Sequence, residues 1–99
     1  MHKMIVLYPK PTDPDHFRDY YVHTHLPLVD KLPGLLGRRY SFEVAAPAGE
    51  SPYFAIFEAD FESAEALAAA LSSAQGRAVG RDVPNYATGG AVILHYPVI

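Results

Sequence analysis

Cysteine is absent from the 99-residue chain. That excludes disulfides, thiolate metal sites and thiol catalysis. Charge is scarce: 19% of residues are charged, and the formal net charge is −3. The pI of about 5.9 argues against a nucleic-acid backbone as partner. No apolar run approaches the ~20 residues that a membrane-spanning helix needs, so no membrane partner is expected. The N-terminal residues MHKMIVLYPKP hold neither a hydrophobic region nor a small-residue cleavage site. No secretory signal is therefore expected, and a cytoplasmic location is. Phosphate loops, dinucleotide fingerprints and nucleophile elbows are missing too. Gly76 and Gly80 of GRAVGRD do not follow a strand, so they make no dinucleotide signature. With no linker, internal repeat or low-complexity tract, residues 1–99 read as one domain.

What is present is apolar. Hydrophobic residues make up 49% of the chain, high for so small a domain. A short chain has little interior, and a subunit interface is the natural destination for the excess.

The pattern along the chain alternates strands with helices. Residues 3–8, KMIVLY, are a short run of strand formers closed by Pro9 and Pro11. Asp13-Pro14 is a helix start, with Asp13 as cap and Pro14 pre-set for the first helical position. Phe17, Tyr20, Tyr21 and Leu28 then lie near one helical stripe. Pro27 lacks an amide hydrogen, so the regular helix is expected to end or kink near Thr24, and Pro33-Gly34 stops it. Residues 35–45 alternate as a second strand, with Leu36, Arg38, Tyr40, Phe42 and Val44 on one side. A turn over Pro47–Pro52 leads to a third strand, residues 53–60. Ser63 opens a second helix running to about Ser73. Residues 75–89 read as irregular with at most one helical turn, and residues 90–97 as the fourth strand.

The order β-α-β-β-α-β makes the α+β ferredoxin-like arrangement: an antiparallel sheet with both helices on one face. The other face then lacks a cover. Yet strands one, three and four are apolar on both sides, as strands buried twice over are. A second copy packed sheet to sheet, as a two-fold homodimer, would cover it.

Two stretches carry a family resemblance. FRDYYVHTHLPLVDKLPGL follows the first strand, and DVPNYATGG precedes the last. With the element order, these make the chain resemble an EthD-like member of the dimeric α+β barrel superfamily over nearly its whole length. The resemblance implies a homodimer with a cleft between the first helix and the sheet of each subunit. The superfamily includes cofactor-free monooxygenases, lactone isomerases, polyketide-type cyclases, haem-handling proteins and proteins of unknown role. EthD-type members are associated with degradation operons. Such a resemblance bears on fold more than on function.

His25 is the first candidate for chemistry. It matches the histidine of the family's H-x-P motif and stands two residues before the helix break. Imidazole exchanges protons near neutrality, so His25 is read as a catalytic proton donor or acceptor, or else as a cap on the helix end. His23 is a further candidate substrate-binding residue, although on a regular helix it points to another face, where solvation is the alternative. Tyr8, Tyr20, Tyr21 and Tyr40 are candidate substrate-binding residues, with core packing as the alternative for the helical pair. His95, alone in an apolar strand, is a further candidate or a structural residue. Glu58 and Asp60 lie two apart on one strand face and read as solvent-exposed. No His/carboxylate set shows ligand spacing, so no metal and no organic cofactor is expected. Two functions compete. One is a cofactor-free isomerase, cyclase or monooxygenase acting on a hydrophobic, aromatic or carbonyl-bearing metabolite. The other is a non-catalytic metabolite-binding or accessory protein of a degradation pathway. Both need an apolar pocket with few polar groups.

Overall fold

A computed structural model describes all residues, 1–99. Strand β1 (His2–Tyr8) is followed by helix α1 (Pro14–Tyr20). The Asp13 carboxylate caps α1, accepting the His16 amide at 3.1 Å, and Pro14 occupies the first turn. Beyond Tyr20 the regular α-helix is interrupted around Thr24, where the proline suggested an end or a kink, but the helical path does not stop. It widens into a π-helical turn over Tyr21–His25 and continues as α2 (Leu26–Val29). The cause is Pro27. It has no N–H for the His23 carbonyl, and in an α-helix its ring would strike that oxygen. In the wider turn the Leu26 amide reaches back to the Tyr21 carbonyl.

Strands β2 (Gly37–Ser41) and β3 (Ala55–Phe61) follow, then helix α3 (Ala64–Ser72), capped by the Ser63 hydroxyl on the Ala66 amide at 3.1 Å. The next segment corrects the sequence reading. Residues taken as irregular form a full helix, α4 (Ala74–Asp82), continued by a 3-10 turn over Val83–Asn85. Ser73 makes the break. Its backbone is extended, and its hydroxyl donates to the Ala70 carbonyl at 2.5 Å while accepting the Gly76 amide at 3.0 Å. One residue thus ends α3 and caps α4. A Cβ at Gly76 would collide with the Ala70 and Leu71 carbonyl groups, so only glycine allows the two helices to meet so tightly. Strand β4 (Val92–Pro97) closes the chain.

The sheet runs β2-β3-β1-β4, antiparallel throughout. This is the ferredoxin-like order expected from the sequence, with the helices against one face. Alternate residues of the central strands meet them: Met4, Val6 and Tyr8 on β1, Ala55, Phe57, Ala59 and Phe61 on β3. Phe17, Tyr21, Leu26, Val29 and Leu67 fill the core from the helical side.

The other face divides in two. Ile5, Leu7, Ile56, Val92, Leu94 and Tyr96 form an apolar area open to solvent. Beside it Lys3 and Arg39 interleave with Glu58 and Asp60 at 2.7 to 3.7 Å. Glu58 and Asp60 are therefore partners in cross-strand ion pairs. Ile93 faces the helices, opposite Val6, but remains 55% exposed because edge strand β4 extends past their cover.

A buried histidine-aspartate pair beside an apolar cavity

Phe17, Tyr21 and His25 follow one another at helical spacing and present a continuous aromatic stripe to the sheet. Tyr21 stacks on Phe17 with ring centroids 5.4 Å apart and on His25 at 5.3 Å. His25 is thereby carried under the helices, where only 2% of it is exposed. Asp82, at the end of α4, meets it there: His25 Nδ1 and Asp82 Oδ2 are 2.9 Å apart. The other carboxylate oxygen accepts the Tyr20 hydroxyl at 2.5 Å and the Asn85 amide at 3.0 Å.

This arrangement sets the charges. Burial pushes the Asp82 carboxyl up, but donors from Tyr20, Asn85 and His25 outweigh it and hold the group below the usual carboxylate range. For His25 burial dominates and lowers the imidazole below its ordinary 6.5, with Asp82 offsetting only part of that. At neutral pH the pair is thus carboxylate and neutral imidazole. A carboxylate only accepts hydrogen bonds, so Nδ1 carries the ring proton and Nε2 keeps its lone pair. Nε2 makes no bond within the chain, and no sealed side-chain nitrogen lacks a partner, so Nε2 has open space before it.

His25 also lines a cavity of about 110 Å³ between the helices and the sheet. Its walls are mostly hydrophobic, including Met4, Val6, Val29, Phe57 and Val79. Leu71 and Ile93, both partly exposed, border it on the solvent side. Tyr8 and Tyr21 are also among its lining residues. Tyr8 Oη lies 2.9 Å from Tyr86 Oη and 3.4 Å from Tyr21 Oη. Burial pushes all three phenols up, so they stay protonated. A larger depression of about 600 Å³ lies between the β2–β3 loop and the start of α1. It is wide open, and neither His25, Asp82 nor the three tyrosines border it.

The structure brings together His25, Tyr8 and Tyr21, and adds Tyr20 at one remove through Asp82. Tyr40 stands outside, partly exposed, its ring 5.9 Å from that of Tyr21. His23 points to solvent and bonds the Asp19 carbonyl at 3.0 Å. His95 lies one pleat beyond Ile93 on β4, where its Nδ1 meets His2 Nε2 at 2.8 Å away from the cavity. Asp82, Asn85 and Tyr86 belong to the DVPNYATGG stretch that carries the family resemblance, but the sequence alone assigns them no role in the site. Their spacing of three and four would have placed them on one helical face, had α4 been recognised.

The sheet order and the helices on one face define a ferredoxin-like α+β protein, here with an acid–imidazole pair beneath its helices. The EthD domain matches residues 9–90, and the chain belongs to the EthD family. An uncharacterized 11.0 kDa protein in the thcB–thcC intergenic region of Rhodococcus erythropolis is 30% identical over 98 residues, covering 95% of this chain and 91% of that one. The crystal structure of an EthD family protein from Bacillus halodurans superposes with a TM-score of 0.92 at 31% identity, covering 100% of this chain and 99% of that one. Two remoter structures share the fold alone. A dimeric ferredoxin-like protein of unknown function from Thermobifida fusca has a TM-score of 0.74 at 15% identity, over 98% and 90% of the chains. SnoaB, a cofactor-independent oxygenase from Streptomyces nogalater, has 0.71 at 10%, over 98% and 91%. No helix is long and apolar enough to cross a membrane.

Proposed function

We propose that residues 1–99 act as one domain of a homodimer that binds a small hydrophobic metabolite, with His25 accepting and returning a proton. The observation that carries this reading is the buried His25 on the wall of an apolar cavity, its Nδ1 2.9 Å from Asp82 Oδ2 and its proton affinity lowered by burial. A general base needs a free lone pair and a partner that fixes its orientation. Asp82 is the positioning residue. Tyr8 and Tyr21 are the wall residues that meet the ligand, and Tyr20 steadies Asp82. The capping alternative for His25 loses support, because its ring bonds a side chain 57 residues away rather than the local backbone.

Size narrows the ligand. The cavity, about 110 Å³, is smaller than the ~150 Å³ engineered cavity that takes up benzene. A single small ring or a short carbonyl-bearing group fits, and anything larger must extend past Leu71 and Ile93. No cofactor is invoked, in keeping with a base that acts on the ligand directly. SnoaB, a cofactor-independent oxygenase, shares the fold. The dimer is supported by the open apolar sheet face and by the dimeric Thermobifida protein of the same fold.

Val79 provides the test. It lines the cavity and is half-buried, so a larger side chain there takes up cavity space. Saturation-transfer NMR with benzene and cyclopentanone should detect binding to the wild type. Val79→Phe should remain folded, by circular dichroism, and lose both signals. Equal signals from the two proteins would show that the probes sit elsewhere and would overturn the assignment of the cavity.

A further inference from the structure

Tyr20 and His25 lie five residues apart. On a regular α-helix that separation turns two side chains roughly 140° away from each other. The π-helical turn over Tyr21–His25 changes this. Its bond from the Leu26 amide to the Tyr21 carbonyl spans five residues, so residues five apart come to nearly the same side. Both side chains then meet one carboxylate. His25 Nδ1 is 2.9 Å from Asp82 Oδ2, and the Tyr20 hydroxyl donates to Oδ1 at 2.5 Å. Asn85, in the 3-10 turn that follows α4, closes the group. Its side-chain amide donates to the same Oδ1 at 3.0 Å and to the Tyr20 oxygen at 3.3 Å. His16 Nε2 donates to the Asn85 carbonyl at 3.1 Å and ties that turn to α1.

One oxygen of Asp82 thus serves His25, and the other serves donors nearer the surface: Tyr20 is half-buried and Asn85 exposed. The carboxylate holds the Tyr20 phenol above its ordinary 10.0, so the hydroxyl keeps its proton and stays the donor. Two donors on Oδ1 act on His25 in two ways. They fix the torsion of the carboxylate, which keeps Oδ2 against Nδ1. They also draw negative charge toward Oδ1, which leaves less at Oδ2 to stabilise an imidazolium. We infer that Tyr20 and Asn85 are positioning residues for His25, acting through Asp82 to hold the imidazole as its Nδ1–H tautomer and to weaken the carboxylate's support for a second ring proton. A ring carrying both protons has no lone pair left to accept another. This deepens the proposed function and rests on its reading of His25 as a base. The quantity that tests it, the protonation midpoint of His25 in the free protein, is measured without a ligand.

A ¹⁵N NMR titration of the histidine rings gives that midpoint in the wild type, Tyr20→Phe, Asn85→Ala, Asp82→Asn and Asp82→Asn/Tyr20→Phe. Tyr20→Phe should raise the midpoint by about half a unit or more, a fraction of what a hydrogen bond to a charged group is worth. Asn85→Ala, at an exposed position outside the core, should raise it by less. With Asp82→Asn in place, Tyr20→Phe should add nothing, because the influence passes through the carboxylate. A structural role alone would lower the melting temperature of Tyr20→Phe and leave the midpoint where it was. An unchanged or lowered midpoint in Tyr20→Phe would overturn the inference. So would an equal rise with and without the Asp82 carboxylate. If Tyr20→Phe fails to fold, Asn85→Ala decides: a raised midpoint supports the inference and an unchanged one overturns it. Failure of the wild type to bind either benzene or cyclopentanone would instead remove the ligand reading and leave the measured tuning of His25 standing.

Discussion

At the scale of the residue, His25 decides how the site responds to acid. Its folded-state pKa lies below the ordinary 6.5, chiefly because burial disfavours the imidazolium. The unfolded chain therefore takes up a proton at higher pH than the folded one does. The stability that goes with this difference is complete above about 6.5. It is lost as the pH falls from there through the folded-state value. Asp82, also lowered in the folded state, adds a separate loss starting below its ordinary 3.8. Urea denaturation at pH 7.5, 6.5, 5.5 and 4.5 should show stability falling below 6.5 in the wild type, with a shallower fall in His25→Gln. Identical slopes would mean that the folded protein accommodates a protonated His25 without penalty. His25 was legible in the sequence because the neighbouring Pro27 marks an interruption. Asp82 was not, because one carboxylate in a glycine-containing segment looks like surface. Only the fold, bringing residues 57 apart within hydrogen-bond distance, reveals its role.

At the scale of the element, Pro27 and Ser73 mark the two places where the helical path departs from a regular α-helix. Proline is a reliable mark of a broken α-helical hydrogen bond. It does not say whether the chain stops or adapts, and here the wide turn over Tyr21–His25 lets the helical path continue. That turn carries the histidine, in keeping with the frequency of such turns at functional sites. Helix α4 was overlooked because Gly76 and Gly80 lower its intrinsic helicity, each by about 1 kcal/mol relative to alanine. The two glycines have different reasons to be there. Gly76 is required by the carbonyl groups at the end of α3, whereas a Cβ at the exposed Gly80 would meet no atom within 4 Å. The capping residues were the readable part. Asp13 and Ser63 start their helices as their side chains suggest, since each has an oxygen placed to accept an otherwise unpaired amide.

At the scale of the whole molecule, the strand and helix order was legible from hydrophobic periodicity, and the apolar excess pointed to a second covered face. The structure refines that second point. The open face is apolar around Ile5, Ile56 and Leu94 but charged around Lys3, Arg39, Glu58 and Asp60. Both halves suit a two-fold contact with an identical face. Light scattering at low micromolar concentration should give twice the 10.9 kDa chain mass. Ile56→Asp, which puts a charge on the apolar half of that face, should yield monomer or unfolded protein. Ile93→Asp, on the helix side, should disturb the dimer less. A wild-type mass of one chain would contradict the dimer. The central claim, that a neutral and oriented His25 faces a ligand in the cavity, is tested most directly by ¹⁵N NMR of the histidine rings at pH 7, with and without saturating cyclopentanone. The account predicts the Nδ1–H tautomer for His25 and an Nε2 resonance that shifts when the ketone binds. A protonated ring, the opposite tautomer, or an Nε2 signal indifferent to bound ketone would contradict it.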